Sequence, residues 1–452
     1  METARLKDQQ LRTLVVGLGA TGLSVARYLM AQGVRVAVTD SRESPPGLEQ
    51  LQQEYPDLGV FLGGFDDAVF EQADLLVLSP GVPLATPQVR AAVARGVSVV
   101  GDIELFVRAA KAPIVAITGS NGKSTVTTLV GEMVKAAGRK VAVGGNIGTP
   151  ALDLLDPEVE LYVLELSSFQ LETTSSLQAA VATVLNVQAD HMDRYPDMET
   201  YAEAKAKVMA GAGLGIYNAD DPRVTAMAGS DDRWRFTLGH AQDDKTFGLC
   251  MADDREWLCR GQQWLLPVDE LLMPGRHNQA NALAALAIGT GLGLELDKML
   301  AVLRSFRGLP HRTEFVAEID GVRWYNDSKA TNVGATQAAL QGMHKGDETR
   351  AVVILGGDCK DAEFDDLTET LAECARAVVL IGRDADEIQS VIPAACVSVK
   401  VGSMEEAVAR AAELAKPGDH VLLSPACASF DMFRNFGERG DVFRAIVRRF
   451  LV

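Results

Sequence analysis

At 452 residues, 47% of them hydrophobic, the chain is long enough for several packed domains and too apolar to be disordered. Its 43 basic against 61 acidic residues leave a formal net charge of −18, the wrong sign for coating nucleic acid. The opening METARLKDQQ lacks a signal peptide's apolar stretch and no run approaches the roughly eighteen apolar residues of a membrane span, so the cytoplasm is the expected compartment. The six cysteines include no CxxC pair and are expected to be reduced packing residues.

The first predicted strand, Thr13 to Val16, runs into GLGATG (17–22) and then a helix with Leu23, Ala26 and Met30 on one face. This is a formal GxGxxG, and Asp40 ends the second strand, VAVTD (36–40), where a ribose-binding acid should lie. NAD is the first ligand such a motif suggests, and a tight turn without ligand is the plain alternative. A dehydrogenase would need a hydride-transfer site further on. Instead, beyond LLVLS (75–79) and a seam near residue 110, the chain carries a second phosphate loop.

IVAITG (114–119) leads into TGSNGKST (118–125), and apolar Val126, Leu129, Val130, Met133, Val134 and Ala137 come next at helical spacing. A generic Walker A loop has four residues between its first glycine and the Gly-Lys-Ser/Thr triplet; only Ser120 and Asn121 separate Gly119 from Gly122 here. The strand, loop and helix nonetheless stand in the right order. Gly119 and Gly122 let the backbone approach phosphate, Lys123 can reach the terminal phosphates, and the Ser124 hydroxyl can ligate magnesium.

LYVLELS (161–167) ends an apolar strand on Glu165, at the edge where open parallel sheets bind ligands. A buried carboxylate is costly unless paired or on a metal, so Glu165 reads as a magnesium ligand, with a hydrogen bond to a neighbouring loop as the alternative. A further strand enters a polar cluster holding His191 and Asp193, where a lone histidine by itself proves little. In METYAEAKAKVMAG (198–211), Tyr201, Lys205, Val208 and Met209 share one helix face while Lys207 points away. An inward lysine can snorkel, pair with an acid or lose its proton. In the last case it is nucleophilic and can add carbon dioxide to become a metal-binding carbamate.

From Asp231 to Pro267, three of the four tryptophans lie in alternating runs that predict antiparallel strands added to the middle domain. A second seam falls at GLPHR (308–312). The expected fold is therefore α/β in three domains: a Rossmann-like domain over 1–109, a P-loop ATPase-like domain over 110–308 with a parallel sheet plus a small antiparallel one, and a Rossmann-like domain over 309–452.

Ordered blocks along nearly the whole chain resemble the Mur ligases of peptidoglycan synthesis: TGSNGKST, GGNIGTP (144–150), LELSSFQLETTSSL (164–177), NVQADHMDRYP (186–196), MPGRHNQANALAA (273–285), GLPHR, NDSKATN (326–332), GGDCK (356–360) and LLSPACASFDMFRNFGERG (422–440). The short loop is the family's own TGxNGK[ST] variant. NDSKATN and SPACASFDMF are similar to the D-glutamate-adding members, whereas later-acting members carry a different motif there. The substrates the resemblance implies are ATP, UDP-MurNAc-L-alanine and D-glutamate, and a monomer is expected.

By that resemblance GxGxxG holds UDP rather than NAD, with Ala20, Thr21, Asp40, Ser41, Arg42, Ser79 and Gly81 as contacts and Asn146 on the substrate. Gly119, Ser120, Asn121, Gly122, Lys123, Ser124 and Thr125, with Asn278, Asn281, Arg312 and Asp327, surround ATP. Ser124 and Glu165 serve a first magnesium ion; His191 and carbamylated Lys205 serve a second. Lys329 completes the catalytic set, and Thr331, Lys360, Ser429 and Phe436 receive D-glutamate. Cys359 departs from the glycine the family often has before that lysine. A nucleotide-dependent binding protein without ligase chemistry is the alternative class; retention of Lys123, Glu165, His191, Lys205 and Lys329 together argues against it.

Overall fold

The computed structural model describes residues 11–227, 233–273, 275–344, 349–359 and 362–449, and among these the strands gather into three sheets. The first has five parallel strands in the spatial order Gly59–Leu62, Arg35–Asp40, Arg12–Val16, Leu75–Leu78, Ser98–Gly101. Strand order reverses beside Arg12–Val16, which places GLGATG at the crevice where doubly wound sheets take ligands. Two of its glycines answer to packing. Gly17 has φ +95°, and a Cβ on Gly22 would come within 1.9 Å of the Gly17 carbonyl oxygen, so only glycine lets the helix Ala20–Ala31 sit this close. Gly19 meets nothing within 4 Å and leaves the backbone open. On that helix Leu23 and Ala26 are buried as expected; Leu29, rather than the half-buried Met30, completes the inward face.

The nine-stranded second sheet runs Gln263–Pro267, Arg255–Arg260, Thr246–Ala252, Trp234–His240, Leu214–Asn218, Val181–Val184, Ile114–Thr118, Leu161–Glu165, Val141–Gly145. Ile114–Thr118 is an interior strand, between Val181–Val184 and Leu161–Glu165, and is buried along its length, since parallel strands are covered on both faces. Against it packs the helix Lys123–Ala136, with Val126, Leu129, Val130, Met133 and Val134 fully buried. The edge differs from expectation. Trp234–His240 pairs parallel with both neighbours, and only Thr246–Ala252, Arg255–Arg260 and Gln263–Pro267 form an antiparallel ribbon. In that ribbon Cys250 and Cys259 are joined in a disulfide, Cα atoms 6.3 Å apart, against the expectation of free thiols. Cross-strand neighbours nine residues apart meet only once the ribbon has folded.

The third sheet runs Glu314–Ile319, Val322–Asn326, His420–Leu423, Ala351–Leu355, Ala375–Leu380, Val397–Lys400, with its first pair antiparallel and the rest parallel. The chain passes from first sheet to second between Ala109 and Ile114, and from second to third between Ser305 and Glu314. The helix Asp102–Ala109 is fastened to the second unit. The Glu104 carboxylate accepts from Ser175 N, Ser176 N and Ser176 Oγ at 2.8 to 3.0 Å, and Asp102 accepts from Gln170 Nε2 at 3.0 Å. Burial pushes the Asp102 carboxyl up to about 6. Among the described residues no helix is long and apolar enough to cross a membrane.

Candidate active site

A cavity of about 440 Å3 opens at the carboxyl ends of the first-sheet strands. Ala20, Thr21, Asp40, Ser41, Arg42, Ser79 and Gly81 all line it, and Asn146 and Gln170 close it from the second unit. Asp40 is the buried pin of this wall: its carboxylate accepts from Leu18 N at 2.7 Å and from Arg42 N, Nε and Nη2 at 2.7 to 2.9 Å. Burial alone would raise the carboxyl, and the bonds from Arg42 and Leu18 more than offset it, holding it below the usual carboxylate range.

The phosphate loop is stitched to the segment just after Val181–Val184. Ser120 N donates to Asn186 O at 3.0 Å, Ser120 Oγ to Gln188 O at 2.9 Å, and Asn121 N to Asn186 Oδ1 at 2.8 Å. Gly122, φ +82°, precedes the first turn of Lys123–Ala136, and a Cβ there would lie 2.4 Å from Asn281 Oδ1. With two residues fewer than the generic loop, the chain turns into its helix through this one left-handed glycine. Asn281 donates to Asn278 Oδ1 at 3.2 Å, and both line a cavity of about 140 Å3 with Thr125, Arg312, Asp327 and Lys329. Lys123 Nζ curls onto Gly119 O and Ser120 O at 2.8 and 2.9 Å. Burial lowers its pKa, while Glu165 and Asp190 pull the other way.

Glu165 is 2% exposed; its Oε1 accepts from Asn146 Nδ2 at 2.7 Å, whereas Oε2 is buried without a protein partner. An unmatched buried acceptor costs roughly 1–3 kcal/mol and asks for a ligand. Among the described residues no three His, Cys, Asp or Glu side chains form a metal-holding group. Magnesium is held through one or two carboxylates plus phosphate and water rather than by an all-protein cage, so an orphaned Glu165 oxygen and the Ser124 hydroxyl fit that ion.

Lys205 is 1% exposed beneath the loop, its Nζ donating to Gly119 O at 2.9 Å and lying 4.4 Å from the Tyr201 ring centroid. Burial, then repulsion from Lys123, lowers its pKa well below the ordinary lysine value. Tyr201 and Val208 are buried with it, while Lys207 is exposed and donates to Glu172 O at 3.0 Å. His191 adopts φ +60°, with Nε2 3.6 Å from Asp190 Oδ2 and its ring 4.8 Å from that of Phe169. Left-handed conformations of non-glycine residues concentrate where function over-determines the backbone.

From the turn that leads into the third sheet, Arg312 Nη2 donates to Ser124 Oγ at 2.6 Å. Asp327 accepts from Thr313 N and Ser424 Oγ at 2.9 Å, and burial pushes its carboxyl up to about 6. Lys329 Nζ lies 3.9 Å over the Phe436 ring, its pKa lowered to about 8, by burial first and then by Arg312 and Lys123. Thr331 lines a separate cleft with His191, and Ser429 is buried away from both. Lys360 lies outside the described residues. Two residues of this site are absent from the sequence-based set. Asn332 bridges Asn121 at 3.2 Å and Asp190 at 3.3 Å, and buried Arg439 donates to Ser328 O, Cys427 O and Ala428 O. Asn332 ends NDSKATN and could have been singled out; a buried arginine on a helix has no local signature.

Three family models match in order: the Mur ligase MurD-like N-terminal domain over residues 11–101, the Mur ligase middle domain over 117–289, and the Mur ligase glutamate ligase domain over 311–427. A UDP-N-acetylmuramoylalanine--D-glutamate ligase from Marinobacter nauticus is 53% identical over 436 residues, 96% of this chain and 98% of that protein. A protein of the same name from Pseudomonas fluorescens is 54% identical over 435 residues, 96% and 97% of the two chains. Among solved structures, a UDP-N-acetylmuramate-alanine ligase from Thermotoga maritima matches with TM-score 0.61 and 19% identity over 98% of this chain and 99% of that one. MurF from Acinetobacter baumannii matches with TM-score 0.61 and 16% identity over 97% and 93%. At such identities the likeness is one of fold, but the sequence relatives share half their residues with this chain from end to end: it belongs to the Mur ligase family.

Proposed function

We propose that this chain is an ATP-dependent ligase that joins D-glutamate to UDP-MurNAc-L-alanine in the cytoplasmic synthesis of peptidoglycan precursors. Its units are a UDP-binding domain over 1–109, an ATP-binding domain over 110–308 and an amino-acid-binding domain over 309–452, acting as a monomer. The observation that carries this reading is the bond from Arg312 to Ser124 across two units, with Lys123 and Arg312 both close enough to feel the charge of Glu165, one of whose oxygens is buried without a protein partner.

Making an amide from a carboxylate in water needs an activated acyl group. Transfer of the γ-phosphoryl of ATP to the substrate carboxylate makes an acyl phosphate, and the D-glutamate amine then displaces phosphate. Two anions must approach each other, so Lys123 and Arg312 offset their charge while the backbone N–H groups at the start of Lys123–Ala136 receive phosphate oxygens. Asn146, bonded to Glu165, orients the acyl substrate at the mouth of the UDP cavity. Magnesium, held by Ser124 and Glu165 with a second ion on His191 and carbamylated Lys205, supplies further charge neutralisation when bound. Carbon dioxide adds only to a neutral amine, the form that burial favours at Lys205. Asn332 ties Asn121 to the third unit and helps keep water from the intermediate.

Phosphate release is expected only when ATP, magnesium, UDP-MurNAc-L-alanine and D-glutamate are all present. Comparable turnover with L-lysine, meso-diaminopimelate or L-glutamate in place of D-glutamate overturns the assignment.

Lys329 adds a pH signature. Its ammonium is positive below about 8 and neutral above, so kcat/KM for ATP should fall as pH rises through that value. Lys329→Arg, whose guanidinium keeps its charge, should flatten that limb, and Lys329→Ala should lower kcat/KM across the whole range. An unchanged alkaline limb in Lys329→Arg assigns it to another group.

A further inference from the structure

Cys359 and Cys427 lie with their sulfurs 3.5 Å apart, both buried, on two segments that meet at an isolated antiparallel bridge. Asp358 and Ala428 form that bridge by exchanging both backbone bonds, at 3.0 and 2.9 Å. The position next to such a pair is a non-hydrogen-bonded one, where Cα atoms stand about 4.5 Å apart and side chains face each other. A disulfide spans about 4.4–6.8 Å between Cα atoms. Cys359 and Cys427 occupy that position.

The two sulfurs differ in access. Cys359 lines a cleft of about 630 Å3 together with His191, Thr331 and Asn332, so a small oxidant in the cleft reaches it. Cys427, 1% exposed, does not line the cleft. Nothing in the ligase chemistry above uses either thiol, and Cys359 stands where glycine is the common residue.

We propose that Cys359 and Cys427 are a modification site: a hydroperoxide converts them to a reversible disulfide that lowers ligase turnover. The effect on turnover rests on the function proposed above; formation of the bond does not. The Cys359 sulfur, as thiolate, attacks a peroxide oxygen. The O–O bond breaks, hydroxide takes up the proton and leaves as water, and Cys359 becomes a sulfenic acid. The Cys427 sulfur attacks that sulfur, an S–S bond forms, the S–O bond breaks and a second water leaves. Two thiols and one hydrogen peroxide thus become one disulfide and two waters, and a dithiol reverses the change by exchange. Hydrogen bonding to Cys427 and burial both raise the Cys359 pKa, so thiolate is scarce at neutral pH and oxidation should quicken as pH rises.

Closing the bond draws the sulfurs from 3.5 Å to about 2.05 Å. Any backbone shift this brings at Cys427 is passed on. Arg439 bonds Cys427 O at 3.1 Å, Ala428 O at 3.3 Å and Ser328 O at 2.8 Å, linking the pair to the segment that carries Lys329. Displacement by about 1 Å in a reacting constellation can cost on the order of 100-fold.

The full-length protein is treated with hydrogen peroxide, alkylated, digested and mapped by mass, with D-glutamate-dependent phosphate release measured in parallel. The Cys359 and Cys427 peptides should be joined with loss of two hydrogens, turnover should fall at least about tenfold, and dithiothreitol should reverse both. Cys359→Ser should keep its turnover under peroxide, while Cys396→Ser should respond as the parent does. Separate alkylated peptides, or oxidation confined to Cys374 and Cys396, overturn the site; joined peptides with unchanged turnover overturn its control of the reaction. If the untreated protein shows no D-glutamate-dependent turnover, the ligase reading falls and the peptide map still decides the bond.

Discussion

Lys205→Ala should fold and lose at least about 100-fold in turnover, whereas Lys207→Ala should stay within about twofold of the parent. The two lysines are two positions apart, and the helix turn sends them in opposite directions: Lys205 beneath Gly119, Lys207 to the surface. Truncating Lys205 removes a buried amine beneath the phosphate loop and with it the carbamate proposed to hold metal. A short carboxylic acid in the buffer should restore part of the activity by standing in for the carbamate, and mass measurement of the intact parent protein in bicarbonate should show added carbon dioxide. Near-parental turnover in Lys205→Ala, or a larger defect in Lys207→Ala, sinks the assignment.

Glu165→Gln is expected to cost on the order of 100-fold or more in turnover and to raise the magnesium concentration needed for half-maximal rate. It should not lower the melting temperature. The glutamine oxygen can still accept from Asn146 Nδ2, and the amide nitrogen takes the place of an oxygen that already lacks a protein partner, so one unmatched buried group replaces another. In the parent, added magnesium should raise the melting temperature; in Glu165→Gln that response should shrink. A variant that is merely unstable, with unchanged magnesium dependence, would assign Glu165 to packing instead.

Much of the centre of this site could be read from the chain because it is built from local signals. The TGSNGKST turn, the apolar strand ending on Glu165 and the helical spacing of Tyr201, Lys205 and Val208 each lie within one element or one turn. There, period and turn chemistry decide which side chain is buried. The glycines of GLGATG were legible for the same reason, and packing explains Gly17 and Gly22 without a ligand.

The tertiary structure alone decided which distant segments meet. Arg312 reaches Ser124 across 188 positions and Asn332 reaches Asn121 across 211. The parallel pairing of Trp234–His240, the link between Cys250 and Cys259, and the facing of Cys359 and Cys427 belong to the same class. Periodicity says that a face is buried but not against what; sheet order and the docking of one unit on another choose the partner, and no window of sequence contains both sides of that choice.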